Sequence, residues 1–422
     1  MTEADLTISK LRVQRTQWAV GNGFFHSGEV STKRTAVNYV YDCGALAPTA
    51  NQEALLREVV EFANRVQTVD FMFVSHFDFD HVSGIKELAS RVHIKRFVIP
   101  LLDPMQRILL FARNISQDPS STGPGDDVFY RDLVIDPVGT LGSLGEDGQA
   151  PEVILIAPQA SPDAARSEPT ALIPPKELKT SDRASSIVVA RDGTRGFRAK
   201  VGRGVVWQWF PFVAEQARVK GSVFAKKLKA LGAISAKKDL NDPRVVKDLV
   251  LNKRDDLVAA YDAATASAGT SFTRNLSSLK LYSGPSLGRR YRAYRTAPNP
   301  VERAEHGAWN PRPGWLGFGD ADLRAKKRVD EVNRVFRPYK GLIGTFAPSH
   351  HGSALDWNLD LLQDFDQSGR HVPSFVFGAS GAFGHPDHGA LLDINEFGGT
   401  TLVVGLAESS RWTEAMNVFI EH

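Results

Sequence analysis

The chain of 422 residues carries 51 Lys and Arg residues against 48 Asp and Glu residues, which gives a formal net charge of +3. This near balance excludes a histone-like polycation but leaves room for a local basic patch. Hydrophobic residues make up 42% of the chain, enough to bury a large core. The single cysteine, Cys43, excludes a disulfide framework and a cysteine-based zinc finger.

No segment has the length and apolarity of a transmembrane helix, which needs about 18 or more apolar residues. The longest apolar stretch, Val205–Ala214, is interrupted by Gln208 and Pro211. The first residues, Met1–Asp5, are polar and acidic and lack the apolar run of a signal peptide. We therefore expect a cytoplasmic protein with no membrane partner.

Strand and helix patterns alternate through residues 1–100. Segments rich in β-branched and aromatic residues predict strands near residues 6–20 and over Val37–Tyr41. Apolar residues at helical spacing predict a helix over Asn51–Val66. Two apolar runs, Phe71–Val74 and Arg96–Ile99, predict buried strands. This alternation of strands and helices is typical of an α/β or α+β sandwich.

The middle of the chain is less regular. Further strands are predicted over Val153–Ala157, Ser185–Ala190, Val205–Phe212 and Leu279–Tyr282. From about residue 212 to 267, Ala, Lys and Leu dominate, which favours helices. Within residues 211–260, 11 Lys and Arg residues stand against 6 Asp and Glu residues, so this helical segment is basic.

Metal-ligating residue types are concentrated in one short segment, Ser75-His76-Phe77-Asp78-Phe79-Asp80-His81, directly after an apolar run. Alternation along an extended loop directs His76, Asp78 and Asp80 to a common side, and His81 follows at the turn. Imidazole nitrogens and carboxylate oxygens suit Zn²⁺, Mn²⁺ or Fe²⁺. The alternative interpretation is a loop of solvated acids with two capping histidines.

Three later clusters contain the same residue types, each following an apolar run. They are Gly319-Asp320, Pro348-Ser349-His350-His351-Gly352-Ser353 and Gly384-His385-Pro386-Asp387-His388. Taken singly, each has a structural explanation: a turn aspartate, one exposed and one buried histidine, and a loop that caps a helix. Six of the 11 histidines lie in these clusters and the first one, which random placement does not favour.

Together and in this order, the four clusters resemble the metallo-β-lactamase fold. More narrowly, they resemble the soluble hydrolase domain of the ComEC family of bacterial competence proteins. That branch carries H-x-D-x-D-H, then G-D after a strand, then H-H-G-S and G-H-P. Asp42-Cys43-Gly44 and Asn275–Leu281 are similar to two further motifs of the family. The resemblance covers about residues 1–100 and 271–422, and the family's membrane channel has no counterpart here.

The resemblance implies an αβ/βα sandwich in which two mixed sheets face each other and helices lie outside. Residues 1–190 would form the first half of this domain and residues 271–422 the second half. Residues 191–270 would be a basic, partly helical insertion between them.

The resemblance also implies hydrolysis assisted by two divalent metal ions, with Zn²⁺ or Mn²⁺ expected. A divalent ion lowers the pKa of bound water from 15.7 to about 7, which provides a hydroxide nucleophile at neutral pH. Asp320 would bridge the ions, with His76 and Asp78 on one ion and Asp80, His81 and His350 on the other. The implied catalytic residues are Asp80, His351 and His385, and the two histidines would contact the scissile group.

A nucleic acid is the leading candidate substrate, because the family's close members are thought to be nucleases. The run Arg289, Arg290, Tyr291, Arg292, Ala293, Tyr294 and Arg295 interleaves cations with aromatic rings, and we expect it to form a loop that contacts phosphates and bases. The insertion adds Lys226, Lys227, Lys229, Lys237 and Lys238. Solvated surface charge is the structural alternative for both groups.

Two other functions remain open at this point. One is a hydrolase of a small molecule, such as a cyclic nucleotide, another phosphodiester or a lactone, with the insertion as a lid. The other is a metal-stabilised effector subunit of a multi-protein system, such as one for antiviral defence, whose protein partner the sequence does not identify.

Overall fold

The computed structural model describes residues 8–46, 49–117, 124–145, 149–158, 187–191, 196–201, 204–214, 221–268, 278–288, 290–296, 312–354, 356–362, 372–378 and 384–421. The strands are β1 (Ile8–Gln17), β2 (Gly23–Ser31), β3 (Ala36–Ala45), β4 (Thr68–Val69), β5 (Phe71–Phe73), β6 (His93–Ile94), β7 (Arg96–Pro100), β8 (Glu152–Ile156), β9 (Ile187–Arg191), β10 (Phe197–Val201), β11 (Gly204–Phe212), β12 (Lys280–Pro285), β13 (Tyr291–Arg295), β14 (Gly314–Gly317), β15 (Ile343–Ala347), β16 (Ser374–Gly378), β17 (Thr400–Val404) and β18 (Trp412–Glu421). The α-helices are α1 (Thr49–Ala63), α2 (Phe79–Val82), α3 (Ile85–Ala89), α4 (Pro104–Gln117), α5 (Val128–Ile135), α6 (Pro137–Gly142), α7 (Gly221–Ala230), α8 (Pro243–Asn252), α9 (Arg254–Ala268), α10 (Lys326–Phe336) and α11 (His388–Glu396).

Within these ranges the strands form two large mixed sheets of eight strands each, and β4 pairs with β6. The first sheet has the order β13-β18-β1-β2-β3-β5-β7-β8, and the second has the order β17-β16-β15-β14-β12-β11-β10-β9. Strands β3, β5, β7 and β8 are parallel, as are β14, β15, β16 and β17. The remaining neighbours in both sheets are antiparallel.

The two sheets face each other across a shared apolar core. Phe71 and Phe73 of β5 point into this core, together with Trp209 of β11 and Trp315 from the second sheet. Met72, between the two phenylalanines, points to the opposite face and packs under α1 and α3–α9. Helix α10 packs on the outer face of the second sheet through residues such as Val332 and Phe336. Period-two alternation along buried strands produces this layering, and the predicted αβ/βα sandwich is confirmed.

The segment predicted as an insertion, residues 191–270, contains two kinds of structure. Strands β10 and β11 at its start belong to the second sheet, and its helical part begins at α7. Helices α7, α8 and α9 share one apolar cluster with α4 and α5. The Ser116 hydroxyl of α4 donates to Asp262 of α9 over 2.8 Å, and Arg254 lies 3.2 Å from Asp126. Helices from residues 101–145 and 221–268 therefore form one layer on the first sheet.

The segment expected to form an Arg/Tyr loop is instead the edge strand β13, paired antiparallel with β18. The loop prediction was wrong because the pairing partner, β18, lies more than a hundred residues further along the chain and leaves no local signal. Five strand spacings of 4.7–4.9 Å separate β13 from β5, or about 24 Å in the plane of the sheet.

Among the described residues, no helix is long and apolar enough to cross a bilayer.

Candidate metal centre

Strand ends bring the four predicted clusters to one edge of the sandwich. His76 follows β5, which lies in the parallel part of the first sheet. Asp320 and His351 follow β14 and β15, which are parallel neighbours in the second sheet. His385 precedes α11, after β16. Because carboxyl ends of parallel neighbours share an edge, residues far apart in sequence meet here.

Two groups of donors have the spacing of a metal site. In the first, His76 Nε2 lies 3.5 Å from Asp320 Oδ2, and His81 Nε2 lies 3.2 Å from Asp320 Oδ1. In the second, Asp80 Oδ2 lies 3.3 Å from His351 Nε2 and 3.7 Å from His81 Nε2. The two groups together contain five of the predicted site residues, and His81 belongs to both groups.

The donor set fits a divalent cation. His81 Nε2 and Asp320 Oδ1 are both buried, and within the described part of the chain neither has a hydrogen-bond partner. Buried polar atoms in proteins are normally satisfied by protein, water or an ion. A lone pair on an imidazole nitrogen beside a carboxylate oxygen is the donor pair that Zn²⁺ and Mn²⁺ accept. A bound cation would satisfy both atoms together.

Asp42 orients His81, a role that the sequence analysis did not assign. Its Oδ2 lies 2.8 Å from His81 Nδ1, and its Oδ1 accepts a hydrogen bond from the Ser75 backbone over 2.6 Å. The bond at Nδ1 leaves Nε2 facing Asp320 and Asp80, as a carboxylate partner does for a metal-binding histidine. The signal was present in the Asp42-Cys43-Gly44 motif, which the resemblance had marked without a role.

Ser278 connects His76 with Asp320. Its hydroxyl accepts a hydrogen bond from the Asp320 backbone over 3.0 Å and lies 3.5 Å from His76 Nδ1. The Ser75 hydroxyl is closer to the same nitrogen, at 2.8 Å. His76 Nδ1 is therefore occupied by hydroxyl groups, and Nε2 faces the donor cluster.

Asp78 differs from the other predicted ligands, because helix α4 supplies its partners. Its Oδ1 accepts a hydrogen bond from Asn114 Nδ2 over 2.9 Å, and its Oδ2 contacts the guanidinium of Arg113 and lies 2.9 Å from His76 Nε2. Asn114 Oδ1 also accepts from the Phe79 backbone at the start of α2. The guanidinium thus already balances the Asp78 carboxylate, which is in neither donor group of the described residues.

We expect replacement of Arg113 by Met to raise the affinity of the site for a divalent ion by about tenfold, because one charge-assisted contact that competes for Asp78 is removed. Calorimetric titration of chelator-treated protein with Mn²⁺ measures this change. Arg113→Lys keeps the charge and is the matched control. Equal affinities in wild type and Arg113→Met would show that the guanidinium does not compete with the ion.

The adjacent histidines His350 and His351 have different surroundings. The sequence analysis placed His350 beside Asp80, whereas the structure places His351 there. His350 Nδ1 lies 2.6 Å from Asp356, and its Nε2 lies 3.8 Å from Asp320 Oδ2. Both histidines have positive φ angles, 49° and 54°, in the left-handed region that few residues other than glycine adopt. The ring of His385 lies 5.5 Å from that of His350.

Burial and neighbouring charges shift the pKa values of the residues in this cluster in different directions. Burial lowers the pKa of His81, but the surrounding carboxylates, led by Asp320, raise it by more, and it lies well above its usual range. Burial raises the pKa of Asp320, but the neighbouring imidazoles, led by His350, bring it well below its usual range. Burial and the imidazoles of His350 and His351 lower the pKa of His385 to about 4. His385 is therefore neutral at pH 7.

The residues predicted to bind nucleic acid divide between the two faces of β13. Tyr291 and Arg295 point toward the inter-sheet side, where Tyr291 packs against the core and Arg295 lies 4.0 Å from Glu414. Arg290 and Arg292 are exposed, and Tyr294 lies beside Phe419. Arg289 lies outside the described residues. Of the predicted lysines, Lys226, Lys229 and Lys237 are exposed, Lys227 is half-buried, and the side chain of Lys238 is outside the description.

Comparisons with known proteins identify no family for this chain. No family model and no curated protein matches it. Among solved structures it is similar to a long form of RNase Z from yeast, at 9% identity and a TM-score of 0.33 over 87% of this chain and 36% of that chain. It is also similar to unliganded PDE1 from yeast, at 9% identity and a TM-score of 0.36 over 96% of this chain and 99% of that chain. For MEM-A1, a subclass B3 metallo-beta-lactamase from a soil metagenome library, the identity is 11% and the TM-score 0.17 over 60% and 94% of the two chains.

Proposed function

We propose that this chain is a metal-dependent hydrolase that cleaves phosphodiester bonds in a nucleic acid. The observation that carries the proposal is the pair of buried atoms His81 Nε2 and Asp320 Oδ1, 3.2 Å apart and without hydrogen-bond partners in the described ranges. Three further donors, His76, Asp80 and His351, surround that pair. The narrower resemblance to the ComEC hydrolase domain rests on sequence motifs alone and stays a prediction.

Two divalent ions, Zn²⁺ or Mn²⁺, are the proposed cofactors. Asp320 supports this number, because its Oδ1 faces His81 while its Oδ2 faces His76 and His350. His81 offers a single nitrogen and serves one ion only, so His350 is the further donor available to the other. When bound, such an ion lowers the pKa of water from 15.7 to about 7, so that a nucleophile is available at neutral pH.

The chain's own side chains position and polarise this site. Asp42 holds His81 with Nε2 toward the donors, and Ser278 holds Asp320 beside His76. His385 is neutral at pH 7, and a nearby cation would disfavour its protonation further. We therefore assign His385 a hydrogen bond to an oxygen of the substrate rather than transfer of a proton to the leaving group.

A small phosphodiester is the second candidate substrate, and the burial of the site favours it. His76 is 1% exposed, Asp320 5% and His351 9%. The Tyr130 hydroxyl of α5 donates to the Phe77 carbonyl over 2.8 Å, so the helical layer of the first sheet packs on the motif loop. A long nucleic acid would have to present its scissile bond to this recessed centre.

The two substrates are separated by a direct assay. We expect chelator-treated protein to be inactive and Mn²⁺ or Zn²⁺ to restore cleavage of single-stranded DNA, RNA or plasmid. Mass spectrometry of the products and elemental analysis of the active protein complete the measurement. Turnover of a small chromogenic phosphodiester without cleavage of any nucleic acid would select the small-molecule function, and no metal-restored turnover of either would contradict the proposal.

A further inference from the structure

One face of the first sheet carries cations interleaved with aromatic rings. It is formed by the outward side chains of β1, β18 and β13, at the end of the sheet remote from β5. On this face Lys10, Arg12, Arg290 and Arg292 are exposed. Tyr294 and Phe419 are half-buried and belong to none of the apolar clusters formed by the described residues. We call this the outer basic face and define it by Lys10, Arg12, Arg290, Arg292, Tyr294 and Phe419.

Strand register places these residues in two adjacent rows. Arg292 is opposite Phe419, and Phe419 is opposite Lys10. Tyr294 is opposite Asn417, and Asn417 is opposite Arg12. The rings of Tyr294 and Phe419 meet edge to face with centroids 5.7 Å apart. Each row therefore crosses three strands and ends in a cation on β1.

The cations of this face are available to a ligand. Lys10, Arg12 and Arg292 are exposed, and within the described ranges they form no ion pair. The Lys10 ammonium lies over the Phe419 ring at 5.5 Å, and Arg12 donates to Gln14 over 3.4 Å. The carboxylates that share the face, Glu29 and Glu421, lie at its borders, opposite Gln14 and Ile8. Positive charge thus surrounds the two aromatic rings.

We propose that the outer basic face binds a single-stranded nucleic acid, with bases stacked on Phe419 and Tyr294 and phosphates held by Lys10, Arg12 and Arg292. Aromatic rings on a sheet surface stack with unpaired bases regardless of sequence, and flanking cations follow the phosphate backbone. A duplex keeps its bases stacked inside and would use only the cations. The inference rests on the proposed function for its substrate class, and it adds a binding surface separate from the metal centre.

Register also gives the distance between this face and the metal centre. Arg12 of β1 is opposite Ser31, and Ser31 is opposite Ala36 at the start of β3. Asp42 lies six residues further along β3, which corresponds to about 20 Å at 3.3–3.4 Å per residue. A nucleic-acid strand bound at both places must span more than this distance, so only long substrates would gain affinity from the outer basic face.

The test measures fluorescence anisotropy of a labelled oligothymidylate with chelator-treated protein, so that binding is separated from hydrolysis. We expect the double variant Arg12→Ala/Arg292→Ala to have a shallower plot of log binding constant against log salt concentration. The slope should fall by about 1.4, since each phosphate contact on a single strand contributes about 0.7. Phe419→Leu keeps apolar packing against the strand but loses a stacking surface, and should weaken binding at least fivefold. Arg337→Ala, which removes an exposed arginine from the other side of the molecule, is the matched control.

The outcomes distinguish the two proposals. Wild-type affinity in both outer-face variants overturns the binding face and leaves the hydrolase untouched. Loss of binding in these variants, in a protein that cleaves no nucleic acid, supports the face and contradicts the proposed function. Equal loss for a duplex of the same length, with no effect of Phe419→Leu, overturns the single-strand assignment in favour of backbone contacts alone.

Discussion

Replacement of Asp80 by Asn is expected to lower the rate of phosphodiester hydrolysis by on the order of a thousandfold or more, equivalent to about 4 kcal/mol of transition-state stabilisation. The Asp80 carboxylate lies 3.3 Å from His351 Nε2 and 3.7 Å from His81 Nε2, so it joins the two sheets within the second donor group. Asn keeps the shape but removes the charge that attracts a divalent ion. Without the ion, water keeps a high pKa and is a poor nucleophile at neutral pH.

The Asp80 side chain is 13% exposed at the start of α2, and because Asn has nearly the same size as Asp, the substitution leaves no cavity. Thermal unfolding of chelator-treated protein should therefore differ little between variant and wild type. Glu87→Gln removes the same charge from an exposed position on α3 and should keep full activity. A folded Asp80→Asn protein with wild-type turnover would show that the centre of catalysis lies elsewhere.

His81→Ala is a less clear test of the same site. From the sequence, His81 was expected to lie at the turn that ends an extended loop. In the structure its side chain is buried against Asp42 and stacked beside Phe24 at 6.1 Å. Its removal leaves a buried carboxylate short of a partner, which destabilises the protein by about 1–3 kcal/mol or more. Loss of activity in that variant would not distinguish a loss of catalysis from a loss of stability.

Local sequence patterns predicted the strands and helices that depend only on the spacing of apolar residues along the chain. The apolar run at 71–74 forms the buried strand β5, and the helix predicted from residue 51 is α1, since apolar spacing alone specifies both. The meeting of the four clusters at one site was implied by the resemblance to a family, and not by local patterns. The structure places five residues of these clusters in two donor groups that share His81.

Contacts between distant segments could not be predicted in this way. Arg113 and Asn114 reach Asp78 only because α4 packs on the motif loop, and no pattern in residues 101–183 indicates that packing. Strand β13 was taken for a loop because its partner, β18, lies more than a hundred residues further along the chain. The outer basic face arises from the same pairing, which places Lys10 and Phe419 beside Arg292.

Replacement of Asp42 by Asn is expected to weaken divalent-ion binding by about 10–100-fold, the usual effect of losing a carboxylate that orients a metal-binding histidine. The backbone tolerates the change, because Asp42 has a φ of 57° and Asn adopts this left-handed region readily. The amide oxygen of Asn can still accept the Ser75 backbone hydrogen bond, so the strand end stays in place.

The effect comes from the tautomer of His81. Asp42 accepts a proton shared with Nδ1, which leaves the lone pair on Nε2 facing Asp320. An Asn amide group would donate to Nδ1 instead, and the ring proton would move to Nε2, where it blocks a cation. Titration of chelator-treated protein with Mn²⁺ or Zn²⁺ measures the loss. Asp70→Asn is the matched control, because Asp70 also accepts a backbone hydrogen bond, from Asn38 over 2.9 Å, but lies before β5 at its other end. If Asp42→Asn bound the ion as tightly as Asp70→Asn, His81 could not depend on Asp42 for its orientation.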